Sequence, residues 1–166
     1  MGRNPTDRGK NGTKKSVLVD GAGGPLGAVI VGANRPDPQV LRATIEAIVV
    51  ERPEPTAEKR QHLCLDKGYD NPTGRKALEG TGYTPHIRRI GEEKKSCDSS
   101  KGHKPRRWVV ERTLAWLSKC RGILVRYDKK DENYLGLIQL ACGLFWYRRL
   151  HRLGRCDTKQ EKQDTS

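Results

Sequence analysis

The sequence predicts a mixed α/β domain, because short apolar strands alternate with helical patterns along the chain. The chain has 166 residues, of which 34% are hydrophobic and 32% are charged. That length suffices for one hydrophobic core and not for two. Lys and Arg number 33 against 20 Asp and Glu, which gives a formal net charge of +13. This surplus points to a polyanionic partner, with nucleic acid as the first candidate and a solvated basic surface as the alternative.

The first half of the chain predicts a hairpin and a helix. Residues 1–15 are polar and predict a loop. The β-branched runs Ser16–Asp20 and Leu26–Val31 flank a cluster of glycine and proline, which is the pattern of a β-hairpin. Apolar residues at helical spacing predict a helix over 37–50, and a linker with two prolines follows over 51–58.

A strand, a helix and a second strand are predicted next. His62–Asp66 and Tyr83–Ile90 are short apolar runs of the kind that form strands. Between them, Asn71 is a favourable helix cap and Pro72 suits the first helical position. A helix is therefore predicted to run from there to about Glu79.

The last third of the chain predicts two helices. Residues 91–104 are charged and rich in serine, which is typical of a mobile loop. Helical spacing of apolar residues extends over 105–120 and again over 133–153. The segment 156–166 is polar from Asp157 onward and predicts a disordered tail.

Composition disfavours several classes of protein. The start of the chain lacks the apolar core of a secretory signal, and the longest apolar stretch, Tyr134–Tyr147, is shorter than the roughly 20 residues of a membrane span. The five cysteines lack C-x-x-C spacing, so reduced thiols in a cytosolic protein are expected. A zinc site is a weaker alternative, because its four donors match no known spacing. Those donors are His62, Cys64, Cys97 and His103.

Two carboxylates are candidate catalytic residues. Asp66 ends the apolar run 62–66, and ligands bind at the carboxyl ends of strands in open α/β sheets, although a turn or cap is an equal alternative. Glu111 lies at the edge of the apolar face of the helix over 105–120, one turn after Arg107. It either points past the sheet toward Asp66 or forms an ordinary surface pair with that arginine. Converging carboxylates would suit Mg²⁺, which prefers oxygen ligands.

The positive charge is concentrated in the last third of the chain. Residues 101–155 contain 14 basic and 4 acidic side chains, whereas residues 51–100 contain 10 and 9. Basic residues in this region are candidates for contacts to DNA phosphates, which position a duplex without reading its sequence. The candidates are Arg107, Arg112, Lys119, Arg121 and Arg126.

The motifs in combination resemble those of a known family. Asp66-Lys-Gly-Tyr-Asp70 is followed by Arg107-Trp-Val-Val-Glu111 and later by Ala141-Cys-Gly-Leu-Phe-Trp-Tyr-Arg. From about residue 3 to about residue 150, the chain closely resembles the catalytic half of bacterial insertion-sequence DDE transposases. The ordered pair Asp-x-Gly-Tyr and Arg-x-x-x-Glu makes the resemblance specific.

The resemblance implies a fold and a chemistry. The fold is RNase-H-like, a mixed sheet with helices on both faces. The activity is metal-dependent DNA cleavage at the transposon end, followed by attack of the 3′-hydroxyl on target DNA. Asp66 matches the second carboxylate of the catalytic triad and Glu111 the third, with Mg²⁺, or Mn²⁺ in its place, as cofactor. Arg107 matches the basic residue one turn before that glutamate.

The first carboxylate of the triad has no clear counterpart in this chain. In the family it lies on a strand that precedes the hairpin. Asp20 is a lesser candidate, because it matches the hairpin turn of relatives and Asp-Gly is itself a turn signal. The resemblance thus implies a partial catalytic domain over 1–155 that lacks its first strand. The unpaired edges this leaves predict poor solubility or dimerisation through that edge.

The partners implied by the resemblance are transposon ends and target DNA in the bacterial cytoplasm, near the nucleoid, and not a membrane. A second copy of the chain or an upstream transposase segment is a further expected partner. The alternative function is a catalytically incomplete DNA-binding or regulatory fragment that partners with full-length transposase. A third hypothesis is a basic RNA-binding protein in which the matches at Asp66 and Glu111 are accidental.

Overall fold

Strands and helices alternate along the chain, which confirms the α/β class. The computed structural model describes residues 1–5, 7–87 and 107–163; for Arg107 and for 153–163 it describes the backbone alone. None of the helices in these ranges is long and apolar enough to cross a membrane.

The predicted hairpin is confirmed, and it is longer than expected. Strands β2 (Asn11–Val19) and β3 (Pro25–Gly32) pair antiparallel, and the short strand β1 (Gly2–Arg3) pairs with the start of β2. The prediction of a loop over 1–15 is therefore wrong for residues 2–3 and 11–15, whereas residues 4–5 and 7–10 form neither strand nor helix. The polar composition of residues 11–15 gave no indication of a strand. In the structure, polar side chains of this segment are accommodated by partners elsewhere in the fold.

Two lysines in β2 illustrate how the polar start of the strand is accommodated. Lys14 forms an ion pair with Asp37 at 3.1 Å. Lys15 extends along the other side of the strand and donates to the carbonyl of Ile123 at 3.2 Å. Burial lowers the pKa of Lys15 below its ordinary value. The aliphatic stem of a lysine can cover apolar surface while its ammonium group keeps a polar partner.

The helix expected over 37–50 is confirmed, but it ends sooner. Helix α1 covers Asp37–Glu46. Beyond it, the backbone N–H of Val49 donates to the carbonyl of Leu26 at 3.2 Å. After the helix ends, the chain bonds to the start of β3. The end of α1 therefore depends on a tertiary contact.

A parallel pair of strands follows, connected by a helix. Strands β4 (Gln61–Leu65) and β5 (Tyr83–Ile87) pair in parallel, and helix α2 (Pro72–Leu78) lies between them in sequence. Asn71 caps α2, because its side-chain oxygen accepts from the backbone N–H of Gly74 at 2.8 Å. The predicted strand, cap and helix are confirmed.

The last third forms helices α3 (Arg107–Ser118), α4 (Arg121–Leu124) and α5 (Asp131–Gln163). The two long helices were predicted, but α5 continues into the segment 156–166, where a disordered tail was expected. The expectation is wrong as far as the backbone is helical. Lys, Gln and Glu are good helix formers, and no glycine or proline follows Gly154. The predicted loop over 91–104 and the end of the strand over 83–90 lie outside the described residues.

The described strands form two sheets, whereas the resemblance implied one mixed sheet. β1, β2 and β3 make an antiparallel sheet, and β4 and β5 make a separate parallel one. A mixed sheet would need a strand bonded to both, and no strand in the described ranges pairs with both β2 and β4. The mixed α/β class therefore holds, and the described strands by themselves do not join into one sheet.

Helices pack on both faces of the hairpin. Because side chains alternate along β2, Val17 packs on one side and Leu18 on the other. Val17 contacts a cluster of α3, α4 and α5 whose buried members are Leu117, Ile123, Tyr134, Ile138 and Ala141. Leu18 contacts a second cluster formed by α1, α2 and β4, with Leu41, Ile45, Leu63 and Leu78 buried. The hairpin is thus the middle of three layers.

Candidate active site

Asp66 directly follows β4 and is exposed. Its Oδ1 accepts a hydrogen bond from the backbone N–H of Lys67 at 2.7 Å, at the start of a 3-10 turn over Lys67–Tyr69. The capping role that the sequence left open is therefore present. This bond also fixes the carboxylate at the strand end, so capping is compatible with a ligand role at the same place.

Tyr69 closes the turn that Asp66 begins. Its ring packs beside the buried cluster around Leu41. Burial, with a smaller contribution from the negative charges of Asp37 and Asp66, raises the pKa of Tyr69 to about 12. The phenol is therefore neutral at physiological pH. Sequence analysis included Tyr69 in a motif but gave it no role, although it is an aromatic residue four positions after the end of β4, where its ring can anchor the turn.

Glu111 lies on the exposed side of α3. On the other side of the helix, Val109, Thr113 and Leu117 are buried. This helix packs against β2. Arg107 begins the same helix one turn earlier, and its side chain is outside the described part of the chain. The helical spacing therefore leaves the Glu111 carboxylate at the surface.

Asp66 and Glu111 are carried by elements that pack on different sheets. Helix α3 packs on β2, whereas β4 pairs with β5 and packs beneath α1 and α2. Within residues 1–87 and 107–152, Thr6 apart, no three His, Cys, Asp or Glu side chains gather closely enough to hold a metal ion. Carboxylate oxygens are the donors that Mg²⁺ prefers, so the type of donor fits. The described residues do not complete a ligand set.

Asp20, the lesser candidate for the first carboxylate, holds the hairpin turn. Its Oδ1 accepts from the backbone N–H groups of Ala22 at 2.9 Å and Gly24 at 2.6 Å. Its Oδ2 accepts from the guanidinium of Arg149 on α5 at 3.2 Å. Both oxygens of this carboxylate are thus engaged within the chain, by the turn and by α5.

Two further residues hold the same turn, and sequence analysis missed both. The Thr113 hydroxyl donates to the carbonyl of Gly23 at 2.7 Å, and the Trp146 indole N–H donates to that of Pro25 at 2.8 Å. A Cβ at Gly24 would overlap the Trp146 ring. The signal in the sequence was the run of small residues in the turn, because glycine permits a close approach of other groups to the backbone.

Arg126, one of the predicted DNA contacts, is engaged by groups of the chain itself. Its side chain is only 9% exposed. Its guanidinium donates to the Thr13 hydroxyl, the carbonyls of Asp128 and Lys129, and the Asp131 carboxylate. The hydrogen bond from Arg126 lowers the pKa of Asp131 below its ordinary value. Arg126 therefore connects the start of β2 to the start of α5. The spacing of basic residues in the sequence does not show that the Arg126 side chain is largely covered by other groups.

The other predicted phosphate contacts lie at the surface where they are described. Arg112, Lys119 and Arg121 are exposed. The Arg112 guanidinium lies over the ring of Trp108, 4.8 Å from its centroid, and donates to the carbonyl of Ala22 at 2.7 Å. Arg112 is thus oriented by the hairpin turn and still reaches solvent.

The alternative zinc site has no support in the described residues. His62 and Cys64 are exposed on β4, and the nearest partner of His62 is His86 on β5, with 2.7 Å between Nδ1 and Nε2. Cys97 and His103 lie outside the described ranges. The two histidines are neighbours because β4 and β5 pair in parallel.

Comparison with known proteins decides the family. Residues 2–146 match the family described as the transposase DDE domain. The chain belongs to this family. The resemblance drawn from the Asp66 and Glu111 motifs is confirmed, and the hypothesis of an RNA-binding protein unrelated to transposons loses its basis. A role in DNA transposition follows from the family.

Similarity to one relative agrees with the family match. The chain is 34% identical over 158 residues to a protein assigned as the transposase of insertion sequence element IS402 in Burkholderia cepacia. The alignment covers 91% of this chain and 70% of that relative. No solved structure matches the chain.

Proposed function

We propose that this transposase-family chain takes part in DNA cleavage and strand transfer through an RNase-H-like catalytic domain, part of which is formed by residues 1–155. The family match supports a role in transposition. Helices on both faces of a hairpin, with a parallel pair of strands besides, agree with such a domain.

The position of Asp66 carries this proposal. The residue is exposed at the end of β4, and the Lys67 N–H holds one of its carboxylate oxygens. With Glu111 on the exposed side of α3, it would supply oxygen ligands for Mg²⁺ or, in its place, Mn²⁺. A divalent ion bound there would neutralise charge on the phosphate during the reaction.

DNA phosphates are the proposed contacts of the exposed basic residues. Arg107 begins α3, the helix that carries Glu111, and Arg112 lies on it, whereas Lys119 directly follows α3 and Arg121 begins α4. Such contacts would hold a duplex without selecting its sequence. Transposon ends and target DNA, in the bacterial cytoplasm near the nucleoid, are the partners that fit this surface.

A further strand is the second partner that we propose. Leu18 of β2 and Leu65 of β4 pack against the same apolar cluster, so the two sheets already share one layer of helices. A strand from an upstream transposase segment, bonded to both sheets, would join them into one mixed sheet. It would also cover edges that otherwise favour aggregation.

The test is a nicking and strand-transfer assay on a transposon-end duplex with Mg²⁺ or Mn²⁺. It compares the chain alone with the chain joined to the upstream segment of a longer relative. Asp66→Asn and Glu111→Gln should each lower activity by about 10³-fold or more, since several kcal/mol of transition-state stabilisation are lost. DNA binding, measured by fluorescence anisotropy, should stay nearly unchanged. Glu46→Gln is the control, because that carboxylate pairs with Arg42 on the surface of α1.

The outcomes separate two functions. Activity confined to the joined form supports the proposal, whereas full activity of the Glu111→Gln protein contradicts it. Inactivity of both forms, with DNA binding retained, would favour a catalytically incomplete DNA-binding or regulatory fragment. The incomplete ligand set within the described residues is the observation behind that alternative.

A further inference from the structure

The segment between α3 and α5 exposes three large apolar side chains within a short stretch of chain. Leu124, Val125 and Tyr127, which we call the apolar tip, are 63%, 46% and 73% exposed. Leu124 ends α4, and the other two follow it in a segment that is neither helix nor strand. Single exposed apolar residues are common on protein surfaces, but a concentration of them with a charged rim indicates a surface that binds a partner.

Neighbouring residues hold the apolar tip in place from inside the fold. Ile123 is buried, and its carbonyl accepts from the Tyr134 hydroxyl at 2.7 Å and from the Lys15 ammonium at 3.2 Å. Arg126, within the tip, donates to four groups of the chain. The backbone at Val125 is extended, and side chains alternate along an extended backbone. The residues on either side of the internal Arg126 are therefore turned outward.

The charges around the apolar tip decide which partner fits. Within 119–130, one acidic side chain, the half-buried Asp128, accompanies four exposed basic ones. The basic residues are Lys119, Arg121, Lys129 and Lys130. Next in sequence, Asp131 is paired with Arg126, and Glu132 is exposed. An apolar protein surface would leave the four positive charges without counterions, whereas the phosphates of DNA would neutralise them.

The apolar tip lies beyond the end of the helix that carries Glu111. Helix α3 ends at Ser118, seven positions after Glu111, which is about 10 Å along the helix axis. Helix α4, which leads into the tip, packs on both α3 and α5. DNA lying along α3 with a phosphate near Glu111 would therefore reach the tip region about three base pairs further along.

We propose that the apolar tip is a wedge that inserts between stacked base pairs of the bound DNA and bends it. Apolar side chains such as that of Leu124 unstack a base step and kink the duplex when they insert. The ring of Tyr127 then stacks on the base face that is exposed. The flanking lysines and arginines hold the phosphates on either side, which offsets the cost of unstacking. Such a wedge favours DNA steps that deform easily and reads no base directly.

This inference rests on the proposed function, since it takes DNA to lie along α3. Fluorescence anisotropy tests it with the full chain and two DNA duplexes, one fully paired and one with a small bulge of unpaired bases. A bulge is already unstacked, so the wild type should bind the bulged duplex at least about tenfold more tightly. Binding of the paired duplex should also raise the energy transfer between dyes at its two ends, because the duplex bends.

Substitutions in the apolar tip should remove the preference for the bulge. Leu124→Ser and Tyr127→Ser should each reduce it to less than about threefold and abolish the bending signal. Val49→Ser is the matched control, because that exposed apolar residue follows α1 in the other helical layer, and it should keep the full preference. Lys129→Gln should weaken binding of both duplexes by the same factor, since a phosphate contact does not distinguish them.

The outcomes separate the wedge from the proposed function. Equal binding of both duplexes by the wild type, or a preference that survives in both tip variants, overturns the wedge and leaves the phosphate contacts standing. A wild type that binds neither duplex overturns the wedge and the proposed DNA contacts together. Thermal melts of the tip variants should match the wild type, because both side chains are exposed. A preference lost only together with melting temperature would assign the tip to the fold and overturn the wedge.

Discussion

Two aspartates of this chain each begin a turn that contains glycine, and their surroundings are opposite. Asp20 bonds through both oxygens, and α3 and α5 pack against its turn. Asp66 caps a turn at the surface, and a Cβ at Gly68, two positions later, would meet no atom within 4 Å. The same local chemistry fixes a hairpin in one place and presents a carboxylate to solvent in the other. What packs against a turn thus decides whether its aspartate stays accessible to solvent.

The hairpin is held at its other end as well. Near the start of β2, Arg126 donates to Thr13. Just after the end of β2, Asp20 accepts from Arg149. The turn after β4 is exposed, and Asp66 caps it by accepting from the Lys67 N–H. We therefore expect substitutions around the hairpin to change stability, and substitutions around Asp66 to change activity.

The largest expected effect is that of Arg126→Ala. The variant should lose about 3 kcal/mol of unfolding free energy, because a buried charge and its hydrogen bonds are removed together. Arg121→Ala, at an exposed position, should stay within about 0.5 kcal/mol of the wild type. Urea unfolding measures both. Weakened DNA binding by Arg126→Ala with stability unchanged would restore the original prediction of a phosphate contact.

A matched pair of glycine substitutions sharpens the comparison of the two turns. Gly24→Ala should cost about 2 kcal/mol, because the added Cβ overlaps the Trp146 ring and the core must shift. Gly68→Ala should cost almost nothing or stabilise slightly, by up to about 0.5 kcal/mol, because its site is open. Thermal melts followed by circular dichroism compare the two. Equal losses would show that the Asp66 turn is packed as tightly as the hairpin turn.

Removal of the two aspartates should separate stability from activity. Asp20→Ala should destabilise the chain by about 1.5 kcal/mol, since two backbone N–H groups and Arg149 lose their acceptor. Asp66→Ala should cost only about 0.5 kcal/mol, because it removes one exposed cap. Strand transfer should nevertheless be abolished by Asp66→Ala alone. An Asp20→Ala protein that is fully stable but inactive would identify Asp20 as the missing first carboxylate.

The smallest effect concerns Tyr69 at high pH. Its pKa is raised from 10 to about 12 in the folded chain, so the folded state retains the proton that the unfolded state loses first. This contribution to stability is complete below about pH 10 and is lost as the pH rises toward 12. Tyr69→Phe should remove that part of the pH dependence, whereas Tyr127→Phe, at a residue 73% exposed, should not. Melting temperatures from pH 8 to pH 11 provide the check.

The exposure of the two candidate carboxylates was predictable because it depends on residues close together in the sequence. Asp66 was recognised by its place after an apolar run, and Glu111 by its phase on a helix, and both lie at the surface where those patterns put them. The DNA-binding candidates were less predictable. Arg126 and Arg121 look alike in sequence, and only one of them is buried. The pattern of charged residues in a sequence shows which side chains are basic, but it does not show which groups pack against each of them.

The sequence by itself determined the order of the hairpin, α1, β4, α2, β5 and the two long helices, although it indicated neither β1 nor α4. It also determined the cap at Asn71 and the family. Each of these depends on residues close together in the chain or on a matched motif. Only the tertiary structure decided that the strands form two sheets, that residues 11–15 extend the hairpin, that α1 stops at Glu46 and that Arg126 is internal. These features depend on contacts between segments many residues apart. Local propensity is too weak to fix them, because the free energy gained at a distant contact exceeds the preference of any single residue.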